Sequence, residues 1–444
     1  MKLNESIPQV PSVSKLLQMA GPVMLSQATI FMCGIIDLIF IRHYGSVAIG
    51  AVSISNVIAV TLLNFMEGLG TTTTVMVSKS RAENNNEDAG RLLSLALMLA
   101  LGIGALFFIS ASSLSHWVFH SVVDKSYAVY GQGYLFYEFS GFSVFLVFMV
   151  LAGYFRGIQD TRTPLKATLL IGLMNILLDA LLIKGWGIFP GLGVPGSALA
   201  TCLSYLSGVM YLAFKLNRLH HREGTSLKNP KPGPWRQFLR MGSEVGFYTG
   251  TLNIAMCLFI GFIKQLGPDS LAAHQVSFQI FLLTYLPATG FLVSATILIP
   301  ALETTGKPEL VRQGIGQILK LSVLVGFVIS LVLESTAPLI ARFFLPGNPD
   351  AVQLALQALR IVGMTPLFSS IYMVLRGALT GLRDTRYIAL EGLASSYLVF
   401  IPLTFLFTVV LKWGLTGGYL AFMSWILADF ILLGSRTWWR VYKK

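Results

Sequence analysis

Residues 92–110 read LLSLALMLALGIGALFFIS, an apolar stretch without a charged side chain. About 20 apolar residues in a helix are enough to cross the hydrocarbon core of a bilayer. Backbone amides cannot be hydrated there, so the chain must satisfy them internally, as a helix does. This stretch therefore predicts a membrane-spanning helix.

The composition shows that this stretch is typical of the whole chain. Of 444 residues, 54% are hydrophobic and 12% are charged, about half the charged fraction of an average soluble domain. The mean hydropathy is +0.70. These values exclude a soluble protein of several domains. Cys33, Cys202 and Cys257 lie in apolar runs and lack the spacing of a zinc site or a disulfide framework.

Twelve segments meet the same criterion of length and apolarity. They are residues 16–41, 48–77, 91–118, 128–155, 165–183, 195–216, 238–263, 271–299, 313–333, 351–375, 387–411 and 417–438. The segments between them are short. The sequence predicts an all-α polytopic membrane protein with twelve transmembrane helices.

The basic residues indicate how these helices are oriented. If the N-terminus is cytoplasmic, 25 of the 32 Lys and Arg residues fall on the cytoplasmic face and six on the opposite face. Cytoplasmic loops are enriched in Lys and Arg. We therefore expect both termini in the cytoplasm. The net charge of +12 then reflects loop sidedness and not nucleic-acid binding.

One connection is longer than the others. Residues 215–235 read KLNRLHHREGTSLKNPKPGPW, which is basic and rich in Pro and Gly. We interpret it as a cytoplasmic linker between an N-lobe, residues 1–214, and a C-lobe, residues 236–444. A basic patch that binds lipid headgroups is the alternative interpretation.

The two predicted lobes resemble each other in sequence. Four matches recur in the same order at offsets of 221–224 residues: FIRHYG (40–45) with FIKQLG (262–267), LQMAG (17–21) with LRMGS (239–243), GIQDTR (157–162) with GLRDTR (381–386), and GVPGSALA (193–200) with GLTGGYLA (414–421). Each lobe has an even number of spans, so both enter the membrane in the same direction. This predicts two parallel six-helix repeats around a central cavity. We interpret the DTR loops as capped turns, with an ion pair between loops at a gate as the alternative.

Acidic residues inside the spans are the candidates for function, because an ionisable group costs at least about 2.5–3.5 kcal/mol at the bilayer centre. Asp37 lies deep in the first span and Asp179 in the fifth. Asn175 precedes Asp179 by four residues, so both side chains share one helical face. Such carboxylates can exchange a proton or coordinate a cation. The alternative is that they only join helices by hydrogen bonds.

The repeat places no acid at the equivalent positions of the second half. At an offset of 222 residues, Asp37 corresponds to Phe259 and Asp179 to Ile401. We therefore expect the ion-coupling site in the first half only.

Other candidates have weaker support. Glu67, in the second span, is either a cavity-lining accessory or an interfacial residue. Glu391 and Asp429 each lie within a turn or two of a span end, where we expect water to solvate them. Pro22 can kink the first helix, or it lies in a first turn and kinks nothing.

In several motifs the chain resembles the MATE (multidrug and toxic compound extrusion) transporters, most closely the DinF-type branch. The motifs are GPVMLSQ…GIIDLIFIRHYG in the first helix, RGIQDTRTP after the fourth, NILLD in the fifth and GVPGSALAT entering the sixth. Their order and spacing extend over almost the whole chain.

The resemblance implies two lobes in a V around a cavity that opens alternately to each side. It implies export of organic, often cationic compounds in exchange for protons, with sodium as the other candidate ion. It implies an N-lobe coupling site with Pro22 as the hinge of the first helix. The site residues that it implies are Asp37, Asn175 and Asp179, with Ala198 and Thr201 of helix six as accessory residues.

One departure from the family is visible. Other branches carry acids in helices seven and ten, whereas here helix seven has Leu252 and Asn253 at that depth and Glu244 only near its start. The interior of the tenth span has no Asp or Glu. A C-lobe sodium site is therefore not expected.

Three alternatives fit less well. A lipid-linked oligosaccharide flippase of the same superfamily tends to have more spans and an Arg-rich cavity, whereas Arg360 is the one candidate for a mid-span Arg here. A major-facilitator transporter would carry a basic, Gly-containing loop in place of residues 78–91, SKSRAENNNEDAGR. The motifs of an intramembrane enzyme are absent. We expect a monomeric transporter, not an enzyme, in a prokaryotic plasma membrane. It would need no cofactor, contact small organic molecules and membrane lipids, and not bind nucleic acid.

Overall fold

The computed structural model of the protein describes residues 12–123, 125–185, 191–223, 234–346 and 348–443. Every regular element within these ranges is helical. Twelve helical segments in this part of the chain are long and apolar enough to cross a membrane. The prediction of an all-α fold with twelve spans is confirmed.

The first six spans follow the apolar segments closely. They are α1 (Val13–Ile41), α2 (Ser46–Ala82), α3 (Asn86–Trp117), α4 (Ala128–Gly157), α5 (Arg162–Lys184) and α6 (Val194–Glu223). A π-helical turn, Val118–Val122, extends α3. α2 continues past its apolar segment, with Lys79 and Arg81 in its last turn. Basic side chains there stabilise the negative end of the helix dipole.

The second six spans include one that is not a regular α-helix. The bounds are α7 (Pro234–Lys264), α8 (Pro268–Glu303), α9 (Pro308–Phe344), α10 (Pro349–Gly381), α11 (Thr385–Ala394), α12 (Ile401–Phe405) and α13 (Gly414–Tyr442). The eleventh span is built from α11, the π-helical turn Ser395–Phe400, α12 and a second π-helical turn, Leu406–Val410. Pro402 lies between the two π-helical turns, where its ring removes a backbone donor.

The helices form two compact units. The first unit is Leu25–Gly246, and the second is Phe247–Lys444 together with the described residues of Met1–Met24. The units differ from the predicted lobes, residues 1–214 and 236–444, because the boundaries fall inside α1 and α7. Two helices therefore each belong partly to one unit and partly to the other.

Packing explains these boundaries. In the second unit, Leu16, Met19 and Ala20 of α1 are buried in one apolar cluster with Phe291 of α8. In the first unit, Phe238 near the start of α7 is buried in the cluster formed by α2, α3, α4, α5 and α6. A helix belongs to the unit whose residues cover its apolar face. The position of a linker in the sequence does not determine which unit that is.

Only part of the predicted linker is described. Its first residues, 215–223, are the last turns of α6, and α7 begins at Pro234. Residues 224–233 lie outside the described residues. The predicted linker is therefore shorter than residues 215–235 by at least the helical turns at its start.

Glycines allow α2 and the start of α7 to approach closely within the first unit. A Cβ on Gly68 would overlap the backbone carbonyl of Gly242, and one on Gly246 would overlap the carbonyl of Phe65. Small residues at such contacts are typical of helix pairs in membranes, where close backbone packing stabilises association.

The two DTR loops have different roles. The Asp160 carboxylate accepts hydrogen bonds from the backbone N–H groups of Arg162, at 3.1 Å, and Thr163, at 3.0 Å, at the start of α5. This is the capped turn that we predicted. Asp384 instead forms an ion pair at 2.7 Å with Arg436 of α13, which joins a loop to a helix within the second unit.

Candidate coupling site

Two polar side chains of α5 lie on the face of the helix that is covered by protein. Asn175 and Asp179 are four residues apart, and 2% and 0% of their surfaces are exposed. Ile171 and Thr168, one and two turns before Asn175 on the same face, are also buried. The spacing of buried residues along α5 therefore directs both polar groups into the interior of the first unit.

Asp37 of α1 reaches the same place from another helix. Its side chain lies close to those of Asp179 and Asn175. The buried Oδ1 of Asp37 and both carboxylate oxygens of Asp179 have no hydrogen-bond partner among the described residues. The three residues selected from the sequence are thus neighbours, and three of the four oxygens of the two carboxyl groups are buried without a partner among the described residues.

Helix α6 contributes hydroxyl groups. Thr201 Oγ1 accepts a hydrogen bond from Asn175 Nδ2 at 3.4 Å and donates one to the Ser197 carbonyl at 3.1 Å. Ser197 is fully buried and lies beside Asp179. Ala198 packs in an apolar cluster instead. Of the two helix-six residues that we expected, Thr201 lies beside Asn175, whereas Ala198 faces an apolar cluster and the preceding Ser197 lies beside Asp179.

An acid that the sequence analysis missed lies nearby. Glu138 of α4 is close enough to Asp37 for their charges to interact, and its buried Oε2 has no partner among the described residues. One turn earlier, Tyr134 donates a hydrogen bond to Asn56 Oδ1 of α2 at 3.3 Å. Glu138 could have been found by the rule that selected Asp37, since it is also an acid in the middle of an apolar segment.

Two other predicted residues lie elsewhere. Glu67 of α2 lies close enough to Arg156 of α4 for their opposite charges to interact. Pro22 lies inside α1, which begins at Val13, so it is not in the first turn. Shortly after Pro22, between Met24 and Leu25, α1 passes from the second unit to the first.

The equivalent positions of the second unit are apolar, as the repeat predicted. Phe259, which corresponds to Asp37, is fully buried. Its ring packs against Phe400, with centroids 5.0 Å apart, and against Phe422, at 6.1 Å. An aromatic cluster therefore occupies the region that carries acids in the first unit.

The expectation for Glu391 and Asp429 was wrong. These side chains are 4% and 0% exposed and are not solvated at an interface. Arg376, which we had counted with the cytoplasmic basic residues, is 6% exposed and forms an ion pair with Asp429 at 2.9 Å. We had inferred solvation from the short distance along the sequence to a span end. That distance does not determine burial, because α10, α11 and α13 pack around these groups.

The chemistry of the first-unit site suits small cations. Two adjacent buried carboxyl groups cannot both stay ionised without a positive partner, so they share a proton or bind a cation. Oxygen atoms from Asp, Asn and Thr side chains would suit a hard cation such as sodium. In the described part of the chain, no group of three or more His, Cys, Asp or Glu residues is arranged to hold a metal ion.

Sequence comparison finds relatives along almost the whole chain. The profile of the MatE family matches residues 22–181 and 249–406. The probable multidrug resistance protein NorM of Thermotoga maritima is 27% identical, with 94% of this chain and 91% of the relative covered. DNA damage-inducible protein F of Escherichia coli is 26% identical over 62% of this chain and 60% of the relative.

Solved structures share the same fold. A MATE protein crystallised in the straight conformation superposes with a TM-score of 0.89 at 18% identity, with all of both chains covered. The bent conformation gives a TM-score of 0.84 over 95% of each chain. Because the family profile covers well over half of the sequence and the fold agrees along its length, the chain belongs to the MATE family of membrane transporters.

Proposed function

We propose that this protein exports organic compounds, mostly cationic and amphipathic, in exchange for protons that enter the cell. Asp37, Asp179 and Asn175 form the proton-binding site in this proposal. The observation that carries it is the pair of adjacent carboxyl groups in an apolar unit, three of whose four oxygens are buried without a hydrogen-bond partner among the described residues. The relatives named for multidrug resistance support the substrate class.

The proton acts through charge. With both acids ionised, the pair is repulsive and attracts a cation or water. A proton shared between Asp37 and Asp179 removes the repulsion and stabilises the packed arrangement. A ligand shifts a conformational equilibrium only through its different affinity for the two states. Protonation from the outer side can therefore favour the state that releases the substrate.

Sodium is the alternative coupling ion at the same three residues, and the experiment below distinguishes it from the proton. We also propose that the protein is a monomer in the plasma membrane of a prokaryote, in contact with lipids, with both termini in the cytoplasm. We propose that the protein exports organic compounds and does not move a lipid-linked oligosaccharide, which would need an Arg-rich cavity. The buried arginine of the second unit is neutralised by an acid and does not extend a basic surface.

The test is gradient-driven transport of a fluorescent organic cation in vesicles that contain the purified protein. We expect an imposed pH gradient to drive transport by the wild type. Transport should fall to the rate of protein-free vesicles in Asp37→Asn and Asp179→Asn, because an amide cannot carry a proton. Glu83→Gln is the matched control, since Glu83 lies on the surface beside Lys79, at 3.6 Å.

The outcomes separate the candidate ions. Transport driven by a sodium gradient alone would contradict the choice of the proton. Undiminished transport in both Asn variants would contradict the site. Loss of transport in Glu83→Gln as well would mean that the effect is not specific to the buried pair.

A further inference from the structure

The second unit contains three buried ionisable side chains that the proposed function does not use. Arg376 comes from α10, Glu391 from α11 and Asp429 from α13, and all are less than a tenth exposed. Arg376 Nη2 donates a hydrogen bond to Asp429 Oδ2 at 2.9 Å. These residues form a group, here called the second-unit charge cluster, that joins three helices.

Two tyrosine rings hold the arginine in place. The guanidinium carbon of Arg376 lies 4.4 Å from the ring centre of Tyr248 and 5.0 Å from that of Tyr372. The faces of aromatic rings attract cations, most strongly away from water. Arg376 therefore stays charged and contributes one fixed positive charge to the cluster.

Glu391 has no donor of its own. Both of its carboxylate oxygens are buried without a hydrogen-bond partner among the described residues, and the same is true of Asp429 Oδ1. The two carboxyl groups lie beside each other. The other titratable groups that act on Glu391 are Arg376, Tyr248 and Tyr387.

The charges of this cluster do not balance if both acids are ionised. One arginine faces two carboxylates, which leaves one negative charge in an interior that water does not reach. An unpaired buried charge is strongly unfavourable, so such a group neutralises instead. Asp429 bonds directly to Arg376 and is therefore the ionised partner.

We infer that Glu391 binds a proton and donates it in a hydrogen bond to Asp429, so that the second unit has a proton-binding site of its own. This site is separate from the carboxyl pair of the first unit, and the inference does not rest on the proposed transport function.

The cluster lies near one end of its helices. α11 begins at Thr385, six residues before Glu391, and α10 ends at Gly381, five residues after Arg376. At about 1.5 Å per residue, both groups lie roughly 8–9 Å from the connecting turn. That turn is fastened by ion pairs of Arg383 with Glu303, at 2.9 Å, and of Asp384 with Arg436, at 2.7 Å.

The experiment is infrared spectroscopy of the purified full-length protein in lipid nanodiscs, which detects the carbonyl stretch of a protonated carboxyl group. The background carries Asp37→Asn, Glu138→Gln and Asp179→Asn, so the buried acids around the first-unit site give no signal. Near neutral pH, we expect Glu391→Gln and Asp429→Asn each to lose the same single band. In the second variant Glu391 remains but becomes the ionised partner of Arg376. Glu83→Gln is the control, because Glu83 is an exposed acid that pairs with Lys79 in the first unit, away from this cluster.

The two variants keep the inference falsifiable if one of them fails to fold. A band that persists in Glu391→Gln would overturn it. A band lost in Glu391→Gln but kept in Asp429→Asn would also overturn it, since Glu391 would then be protonated without sharing. Absence of the band in the background protein, with radioactive sodium bound there and lost in Glu391→Gln, would assign the site to a cation. Transport is not measured, so failure of the efflux proposal leaves this test unaffected.

Discussion

At Asp179 the chemistry depends on which side chain of α6 stands beside it. Ser197 and Ala198 are adjacent in sequence and therefore about 100° apart around the helix. Ser197 lies next to Asp179, whereas Ala198 packs in an apolar cluster. A hydroxyl group can both donate and accept a hydrogen bond. Ser197 can therefore accompany Asp179 through both protonation states.

This geometry predicts that Ser197→Ala slows pH-driven transport. The Ser197 hydroxyl can turn to donate to Asp179 when that carboxyl group is ionised, and a hydrogen bond to a charged group contributes about 1.5–3 kcal/mol, so we expect the rate to fall by about tenfold or more. Ser204→Ala is the matched control, because Ser204 is also buried in α6 and its hydroxyl donates to the Ala200 carbonyl of its own helix. Initial rates in vesicles should change little in that control. Equal losses in both variants would assign the effect to helix packing.

The sequence identified Asp37, Asn175 and Asp179 because acids are rare inside apolar segments and because a spacing of four residues joins two side chains on one face. Ala198 was expected from the resemblance to the family, whereas Ser197, which lies beside Asp179, was not selected. Periodicity shows which residues of α6 share a face, but the rotation of α6 relative to α5 depends on packing along the whole helix. Glu138 needed no structure to be noticed, only the same rule applied to α4.

At the scale of single elements, α1 stands apart because its two halves pack in different units. The change falls between Met24 and Leu25, close to Pro22. A proline inside a helix removes one backbone hydrogen bond and permits a bend. The bendable point of α1 therefore coincides with the place where its packing partners change.

We predict that Pro22→Ala reduces transport several-fold without destabilising the protein. Alanine is favoured over proline by about 3 kcal/mol in a helix interior, so the unfolding temperature in detergent should stay the same or rise. Pro338→Ala is the control, because Pro338 also lies inside a helix, α9, whose residues all belong to the second unit. A normal transport rate in Pro22→Ala would contradict the hinge.

Most elements could be predicted from hydrophobicity, because each span contains about 20 or more mostly apolar residues, enough to cross the bilayer core. The start of the linker could not, since residues 215–223 are polar yet continue α6 as helix. Helix formation there extends an existing helix, which needs no new nucleus. The division of α1 and α7 between the two units could not be predicted from hydrophobicity either, because it depends on contacts between residues far apart in sequence.

For the whole molecule, the distribution of charge predicts the orientation in the membrane. The side with 25 of the 32 Lys and Arg residues should face the cytoplasm. The burial of a basic residue in the second unit could not be predicted from this count. Arg376 contributes to that count, yet it lies inside the protein against Asp429, because helices packed together can enclose a charge that would otherwise face water.

The orientation can be tested with single cysteines placed in a protein without Cys33, Cys202 and Cys257. We predict that an impermeant thiol reagent added outside intact cells labels Pro346→Cys, in the turn between α9 and α10, but not Glu83→Cys, between α2 and α3. Both positions are exposed. Labelling of Glu83→Cys should require opened cells. The reverse pattern would invert the topology and place both termini outside.

The division of α1 also has a consequence for synthesis. Leu16, Met19 and Ala20 are among the first described residues to leave the ribosome, but the cluster that buries them includes Phe291 and Ala295 of α8. At about 5–20 residues per second, on the order of ten seconds or more separates the two segments. Until then, this part of α1 lacks its native neighbours and must remain against lipid or the insertion machinery. This part of α1 thus completes its packing only after the first unit has been translated.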